Sequence, residues 1–139
     1  MDNLNIILSD LKTKGHKLTP VRKTLIEMLL INSSPLSIGD LTTKFQSKKL
    51  NPNKTTLYRE VSFLRDLQIL QEIDLGDGMK RYEISTTHHH HIVCIKCNTI
   101  KDIPMEKDLN TTEQRILKSM QFKPVGHSLE FFGLCSNCQ

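Results

Sequence analysis

All four cysteines of the sequence lie in its last 46 residues and form two CxxC pairs. The first pair is Cys94 and Cys97, and the second is Cys135 and Cys138. Each CxxC spacing presents two thiolates from one tight turn, and four thiolates make the closed tetrahedral shell that structural zinc prefers. Each pair also follows a run with β-strand character. The cysteines therefore predict one structural zinc site of the zinc-ribbon kind.

Two other uses of these thiols stay open on the sequence alone. One CxxC could be a redox site, which would need to stand at a helix start after a strand, or the thiols could be inert. Disulfides are disfavoured because the chain shows no basic and apolar secretion signal, so we expect a cytoplasmic protein with reduced thiols. No apolar run reaches the roughly 18 residues that a membrane span needs, and we expect no membrane partner.

Four consecutive histidines, His88 to His91, lead directly into the strand before the first CxxC pair. Alternate side chains of an extended chain point to opposite faces. His89 and His91 therefore project one way and His88 and His90 the other, so the run can serve two metal sites. Imidazole suits Zn, Fe, Ni and Cu as divalent ions. The alternatives are a purification tag or a solvated polar stretch, although an internal run flush with a strand makes a poor tag.

Carboxylates near the run can complete the site of His89 and His91. The nearest acidic candidates are Glu83, one element earlier, and Asp102, on the next predicted strand. Mixed shells of imidazole and carboxylate suit Fe(II), Mn(II) or Zn(II) and allow the metal to exchange. These four residues therefore predict a site that binds an exchangeable metal.

The site of His88 and His90 has a different set of candidates. His127 is the only histidine after the run, and it precedes a strand that can pair beside the run. Asp108 or Glu106 can supply a carboxylate. These residues predict a further metal site in the C-terminal part of the chain.

The first half of the chain reads as helices followed by a hairpin. Helices are predicted over residues 4–14, 20–30, 37–45 and 53–65. Two alternating runs, 70–75 and 80–84, are then joined by a turn at Gly76-Asp77-Gly78. This order is the layout of a winged helix-turn-helix, in which the fourth helix enters the major groove of DNA.

The fourth helix has an apolar face and a polar face. Leu57, Val61 and Leu64 share the apolar stripe, whereas Thr55 and Arg59 lie on the opposite face with Tyr58 nearby, and such side chains can contact phosphates and base edges. Residues 1–65 carry eleven Lys and Arg against five Asp and Glu, which favours double-stranded DNA as a partner. A solvated amphipathic surface helix is the alternative.

The chain after residue 85 predicts a second, smaller domain. Residues 85–87 form a plausible hinge. Strands are predicted over 91–95, 99–103 and 128–134, with a helix over 109–120. The fold class is therefore α+β, with an N-terminal winged helix over 1–84 and a small α/β domain with a four-cysteine zinc site over 85–139.

Five motifs occur together in one order: Lys17-Leu18-Thr19-Pro20-Val21-Arg22, Thr55-Thr56-Leu57-Tyr58-Arg59, the histidine run with the first CxxC, His127-Ser128-Leu129, and the final CxxC. Together they resemble the ferric uptake regulator family over nearly the whole chain. The resemblance implies a homodimeric, metal-dependent repressor of metal-homeostasis genes. It also implies that residues 85–139 are the dimerisation domain.

The resemblance implies roles for individual residues. Tyr58 and Arg59 match recognition-helix contacts, and Lys17 matches a minor-groove contact. The matching metal sites are the four-cysteine zinc, a sensing site, and a further site. The sensing site comprises Glu83, His89, His91 and Asp102. The further site comprises His88, His90 and His127. Asp108 is added to it as the acidic ligand because it is a nearby carboxylate, not because it matches the family pattern.

Two departures from the family pattern bear on these sites. The sensing site often takes a histidine just before the third helix, but this chain has Ser34-Pro35-Leu36 there. We therefore expect the sensing metal to have four protein ligands, or to keep a water. The acidic ligand of the further site falls near Leu109 or Asn110, and neither side chain is acidic.

The regulatory metal is left open between Fe(II), Mn(II) and Zn(II). By the resemblance, Glu83 favours an iron sensor. An aspartate at the position of Asp102, in place of glutamate, is typical of the family's peroxide sensors. In those proteins, iron-catalysed oxidation of a histidine releases the DNA. Zinc-sensing members of the family often use a further cysteine, and in this chain all four cysteines are already assigned to the structural zinc site.

Two rival functions also remain at this point. A zinc enzyme using the histidine run is disfavoured because HExxH, nucleophile-elbow and phosphate-loop motifs are missing, so we expect no catalysis and no small organic substrate. The other rival is a zinc-stapled DNA-binding protein that senses nothing.

Overall fold

The computed structural model describes residues 2–85, 89–104 and 109–139. The chain divides into two compact units, residues 1–86 and 87–139. The functional division predicted between residues 84 and 85 stays a prediction, because compactness assigns no role to either unit. None of the helices in the described part of the chain combines the length and the apolar composition that crossing a membrane demands.

The first unit contains the four helices and the hairpin that the sequence predicts. Its elements are α1 (Asp2–Thr13), α2 (Pro20–Ile31), β1 (Leu36–Ser37), α3 (Ile38–Gln46), α4 (Lys54–Asp66), β2 (Leu70–Asp74) and β3 (Lys80–Ile84). Side chains cap three of the helices. The Thr19 hydroxyl accepts from the Arg22 N–H, Ser37 and Asp40 form a reciprocal capping box, and the Asn53 side chain accepts from the Thr56 N–H. Such caps satisfy N–H groups that lack partners inside the helix.

Three antiparallel strands in the order β1-β3-β2 make the sheet of this unit. Leu70 lies opposite Ile84 and Asp74 opposite Lys80, so β2 and β3 form the predicted hairpin. Gly76 and Gly78 have φ of 81° and 77°, which the tight connection requires and which glycine adopts without strain. Strand β1 was not predicted. It has two residues, too few to show any alternation.

The first unit has a continuous apolar core. The fourth-helix stripe Leu57, Val61 and Leu64 is buried in it, as predicted, together with Leu11 of α1 and Phe45 of α3. The α2 residues in the core are Leu25, Ile26, Met28 and Leu29. Since the stripe of α4 is buried in the same core as α1, α2 and α3, its opposite face is directed toward solvent.

The second unit is a small sheet with one helix. It comprises β4 (His90–Cys94), β5 (Ile100–Ile103), α5 (Asn110–Met120) and β6 (Glu130–Gly133). The predicted helix and strands are confirmed to within two residues at each end. The strand order is β5-β4-β6, with β5 antiparallel and β6 parallel to β4. The two units together confirm the α+β fold class.

Candidate metal centres and nucleic-acid interface

The four cysteines converge at one end of the second unit's sheet. Cys94 ends β4, and Cys135 follows β6, its parallel neighbour. The four Sγ atoms all lie within 4.8 Å of one another, and Cys97 Sγ is 3.7 Å from Cys135 Sγ. Sulfur atoms at the corners of a zinc tetrahedron with about 2.3 Å bonds would be about 3.8 Å apart. The donor set and its spacing therefore fit one Zn²⁺.

Hydrogen bonds prepare two of these thiols for ligation. The N–H of Cys135 donates to Cys94 Sγ at 3.4 Å, and N–H donors from its own turn add to this, lowering the pKa of Cys94 to about 6. The hydroxyl of Thr99, 3.1 Å from Cys97 Sγ, lowers the pKa of Cys97. The pKa of Cys138 is raised to about 12, chiefly because its thiol donates to Cys135. If the site binds Zn²⁺, the metal would take the place of the proton that Cys138 and Cys135 share.

A second group of residues that could ligate a metal lies at β4 and β5. Asp102 is directly opposite His91 in the antiparallel register, so the two side chains share a face of the sheet. The Nε2 atoms of His91 and His89 lie 3.4 Å and 3.7 Å from Asp102 Oδ1. His91 is buried, and the His89 and His91 rings meet edge to face at 4.8 Å. Two imidazole nitrogens and a carboxylate oxygen thus converge, a donor set that fits Fe(II), Mn(II) or Zn(II).

Glu83, the other predicted ligand of the sensing site, belongs to the first unit. It lies on β3, opposite Gln71 of β2. The Gln71 side-chain amide donates to Glu83 Oε1 at 2.6 Å. This hydrogen bond orients the carboxylate and leaves its second oxygen to other partners.

His90 contacts a different set of residues from its two neighbours in the run. Its Nδ1 lies 3.1 Å from the carbonyl oxygen of Leu129, and its ring centroid is 5.5 Å from that of His127. His127 Nδ1 is 2.7 Å from Glu113 Oε1. The contacts of His89, His90 and His91 thus alternate as the sequence predicts, whereas the prediction for His88 falls outside the described residues.

Glu113 is a residue that the sequence reasoning missed. It is the only carboxylate in α5, but the sequence does not show that this helix lies beside His127. His88, Asp108 and Glu106, the other residues predicted around this site, lie outside the described residues.

The predicted DNA-contacting residues occupy the solvent face of the first unit. Thr55 and Arg59 of α4 are exposed, and Tyr58 is 52% exposed. Lys17 is exposed in the segment between α1 and α2. The hairpin β2–β3 follows α4 directly, as the wing of a winged helix does.

A winged helix-turn-helix in one chain with two groups of metal ligands defines a class of protein, the metal-binding transcription regulators. The sequence model described as the ferric uptake regulator family matches residues 13–132. The ferric uptake regulation protein of Bacillus subtilis is 32% identical, over 99% of this chain and 96% of its own length. The chain therefore belongs to the ferric uptake regulator family and is a metal-dependent transcription regulator.

Two further comparisons agree with this assignment. The peroxide-responsive repressor PerR of Staphylococcus saprophyticus is 26% identical over 95% of this chain and 88% of its own length. The structure of the Helicobacter pylori ferric uptake regulator, described as having three functional metal-binding sites, superposes with a TM-score of 0.76. That match is 24% identical and covers 97% of this chain and 90% of the other. The family model and the Bacillus subtilis relative confirm the resemblance stated from the motifs, and the Helicobacter pylori structure has the same fold.

Proposed function

We propose that the chain is a homodimeric repressor that binds operator DNA in response to Fe(II). The observation that carries this proposal is the convergence of His89, His91 and Asp102, with both histidine Nε2 atoms within 3.7 Å of one carboxylate oxygen. A shell of four thiolates suits a structural zinc, whereas imidazole and carboxylate donors suit Fe(II) and allow it to exchange. Glu83 is proposed as the fourth protein ligand on the family resemblance alone.

The four cysteines are proposed to hold Zn²⁺ as a staple of the second unit. Cys94 and Cys135 leave the ends of two paired strands, so their ligation would fasten β4 to β6 where the ladder stops. This zinc is expected to be resident rather than regulatory, because a closed four-thiolate shell offers no open position.

His90, His127 and Glu113 are proposed to serve the further metal site, with His88 on the predicted alternation. The 2.7 Å contact between His127 and Glu113 supports a carboxylate from α5 in this role. Asp108 remains a predicted ligand from the sequence. The site would connect α5 to the sheet and would stabilise the second unit.

A second copy of this chain is the proposed partner of the second unit. Helix α5 buries none of its residues within one chain, although its sequence is amphipathic. Large apolar side chains on the same unit are also exposed: Ile92, Leu117, Met120, Phe122, Val125, Phe131 and Phe132. Apolar exposure of this extent on a small unit is typical of a surface that another protein covers.

Operator binding is proposed to depend on a population shift. Two winged helices of a dimer must lie about 34 Å apart to enter successive major grooves on one face of DNA. The sensing ligands would stabilise one arrangement of the DNA-binding units only if they bind the metal better in that arrangement. Metal binding there supplies a cross-link and a positive charge. Tyr58 and Arg59 would then read the operator, and Lys17 would contact the adjacent minor groove.

A peroxide-responsive repressor is the second candidate. Asp102, rather than glutamate, supplies the carboxylate beside His89 and His91, and the similarity to PerR of Staphylococcus saprophyticus favours this reading. The two candidates use the same ligands and differ in what happens to DNA binding after exposure to peroxide.

Anaerobic metal titration followed by DNA binding tests both candidates. Zinc-loaded protein would be titrated with Fe(II), Mn(II) or additional Zn(II), and its affinity measured for a duplex selected by the metal-loaded protein and for a scrambled duplex. We expect Fe(II) to raise the affinity for the selected duplex alone. Irreversible loss of that affinity after hydrogen peroxide, with Fe(II) but not with Mn(II), would assign the peroxide response. No effect of any metal would overturn the proposed function.

A further inference from the structure

Arg22 ends the first motif of the sequence, and the proposed DNA contacts and metal sites make no use of it. It lies in the first turn of α2, and its side chain is only 13% exposed. Its Nε donates to Glu60 Oε2 at 2.8 Å, and its Nη2 donates to Glu60 Oε1 at 3.1 Å. The Glu60 side chain is 14% exposed. This is a two-pronged, desolvated ion pair, the geometry that the planar guanidinium favours.

The third nitrogen of the same guanidinium reaches a different element. Nη1 donates to the carbonyl oxygen of Lys17 at 2.6 Å. The guanidinium also lies over the ring of Phe63, with its central carbon 4.0 Å from the ring centroid, and His16 meets that ring edge-on at 5.0 Å. One side chain thus contacts both the segment that carries Lys17 and helix α4.

We propose that Arg22 is a positioning residue that couples the Lys17 segment to helix α4, so that both meet the same stretch of DNA in register. Glu60 directly follows Tyr58 and Arg59 in α4, so holding its carboxylate restrains the rotation and translation of the exposed face. Holding the Lys17 carbonyl restrains the other proposed contact. The inference rests on the proposed function, because it concerns how the proposed DNA contacts are held.

Lysine cannot replace this arrangement. Its ammonium is a single point donor and cannot make the fork to Glu60 and the bond to Lys17 at the same time. Arg65 of α4 offers a matched contrast to Arg22 of α2. Arg65 Nη1 lies 2.9 Å from Glu72 Oε2, and the two side chains are 44% and 22% exposed. Arg65 lies on α4, and Glu72 lies on β2, the next element of the chain. The Arg65 pair therefore does not connect α4 to the Lys17 segment.

The test uses the full-length, zinc- and Mn(II)-loaded protein and two duplexes of equal length, one selected by the wild-type protein and one scrambled. The affinities of R22K, K17A and R22K/K17A are compared with those of the wild type, and R65K is the control. Thermal unfolding of each variant is also measured, and DNA binding is compared at a temperature at which all the variants are folded. E60D, which keeps the charge but withdraws the carboxylate, replaces R22K if that variant fails to fold.

We expect R22K to lower the preference for the selected duplex by roughly threefold or more and to leave binding to the scrambled duplex unchanged. We also expect K17A to lower the affinity for the selected duplex by a smaller factor in R22K than in the wild-type protein. R65K should keep the preference within about twofold. The inference would be overturned if R22K were less stable but kept its preference for the selected duplex. It would also be overturned if K17A lowered the affinity by the same factor in R22K and in the wild-type protein. A wild-type protein without any preference would instead overturn the proposed function.

Discussion

Each of the two units of this chain is stabilised internally in a different way. Of the nineteen buried apolar residues among those described, seventeen lie in the first unit, and only Val93 and Cys94 lie in the second. The first unit therefore has a hydrophobic core of its own. The second has a three-stranded sheet, a helix without buried residues, the four-cysteine cluster and the cluster of His89, His91 and Asp102. We infer that the second unit depends on zinc and on a partner chain for stability that the first obtains from packing.

Loss of the zinc shell should produce the largest effect and should be confined to the second unit. Structural zinc contributes on the order of 10 kcal/mol to small metallo-domains. Cys97→Ser is therefore expected to lose both zinc and the dimer, as measured by metal analysis and sedimentation, whereas the helical signal of the first unit persists. Ser136→Ala, between the last two cysteines, is the matched control. A Cys97→Ser protein that stays dimeric and binds DNA without zinc would contradict this prediction.

A core truncation should show the opposite pattern. Leu25 of α2 is fully buried, and Leu25→Ala is expected to lower the free energy of unfolding of the first unit by about 2–5 kcal/mol because a cavity remains. Ile31→Ala, at a position 74% exposed on the same helix, should change it by less than about 0.5 kcal/mol. Denaturant unfolding and metal analysis measure the two effects. Zinc content that falls along with the stability of the first unit would show that the units are not independent.

The contrast between the units also explains what the sequence alone could predict. The stripe Leu57, Val61 and Leu64 identified α4 and its buried face because helix periodicity is a local property. Asp102 was found because it lies one strand after the histidine run. The pairing of β6 beside the histidine run was also expected and is confirmed. By contrast, β1 and the parallel direction of β6 against β4 depend on contacts between distant segments. Glu113 was missed for the same reason, because the folding of the second unit brings it to His127.

Removal of a base-reading side chain should affect DNA binding and leave both units folded. Arg59→Ala is expected to cost roughly 1–3 kcal/mol of operator affinity, and the cost should differ between operator variants if Arg59 reads a base. If Arg59 contacts only phosphate, the loss should be uniform and the slope of log affinity against log salt should be shallower by about 1. Titrations at several salt concentrations distinguish these outcomes, with Lys44→Ala of α3 as the control. Unchanged affinity would remove α4 from the interface.

The smallest effect is expected at the further metal site. Glu113→Gln keeps the size of the side chain but weakens its ligation of a cation, so affinity for the second exchangeable metal should fall roughly tenfold or more. Dimer stability should fall with it, while the four-cysteine zinc stays bound. Glu130→Gln, at another carboxylate of the same unit, is the control in competition titrations with a chelator. Equal losses in the two variants would remove Glu113 from the site.

The central claim is that His89 and His91, with Asp102, form the sensor, while the alternate histidines serve another site. Anaerobic Fe(II) titration of operator affinity in His89→Ala and His88→Ala tests it most directly, since a shift of one residue along a strand moves a side chain to the opposite face. The account predicts that His89→Ala abolishes metal-activated DNA binding and keeps the four-cysteine zinc, whereas His88→Ala retains activation and weakens the dimer or a second metal. Equal loss of the same metal and of activation in both variants would contradict it.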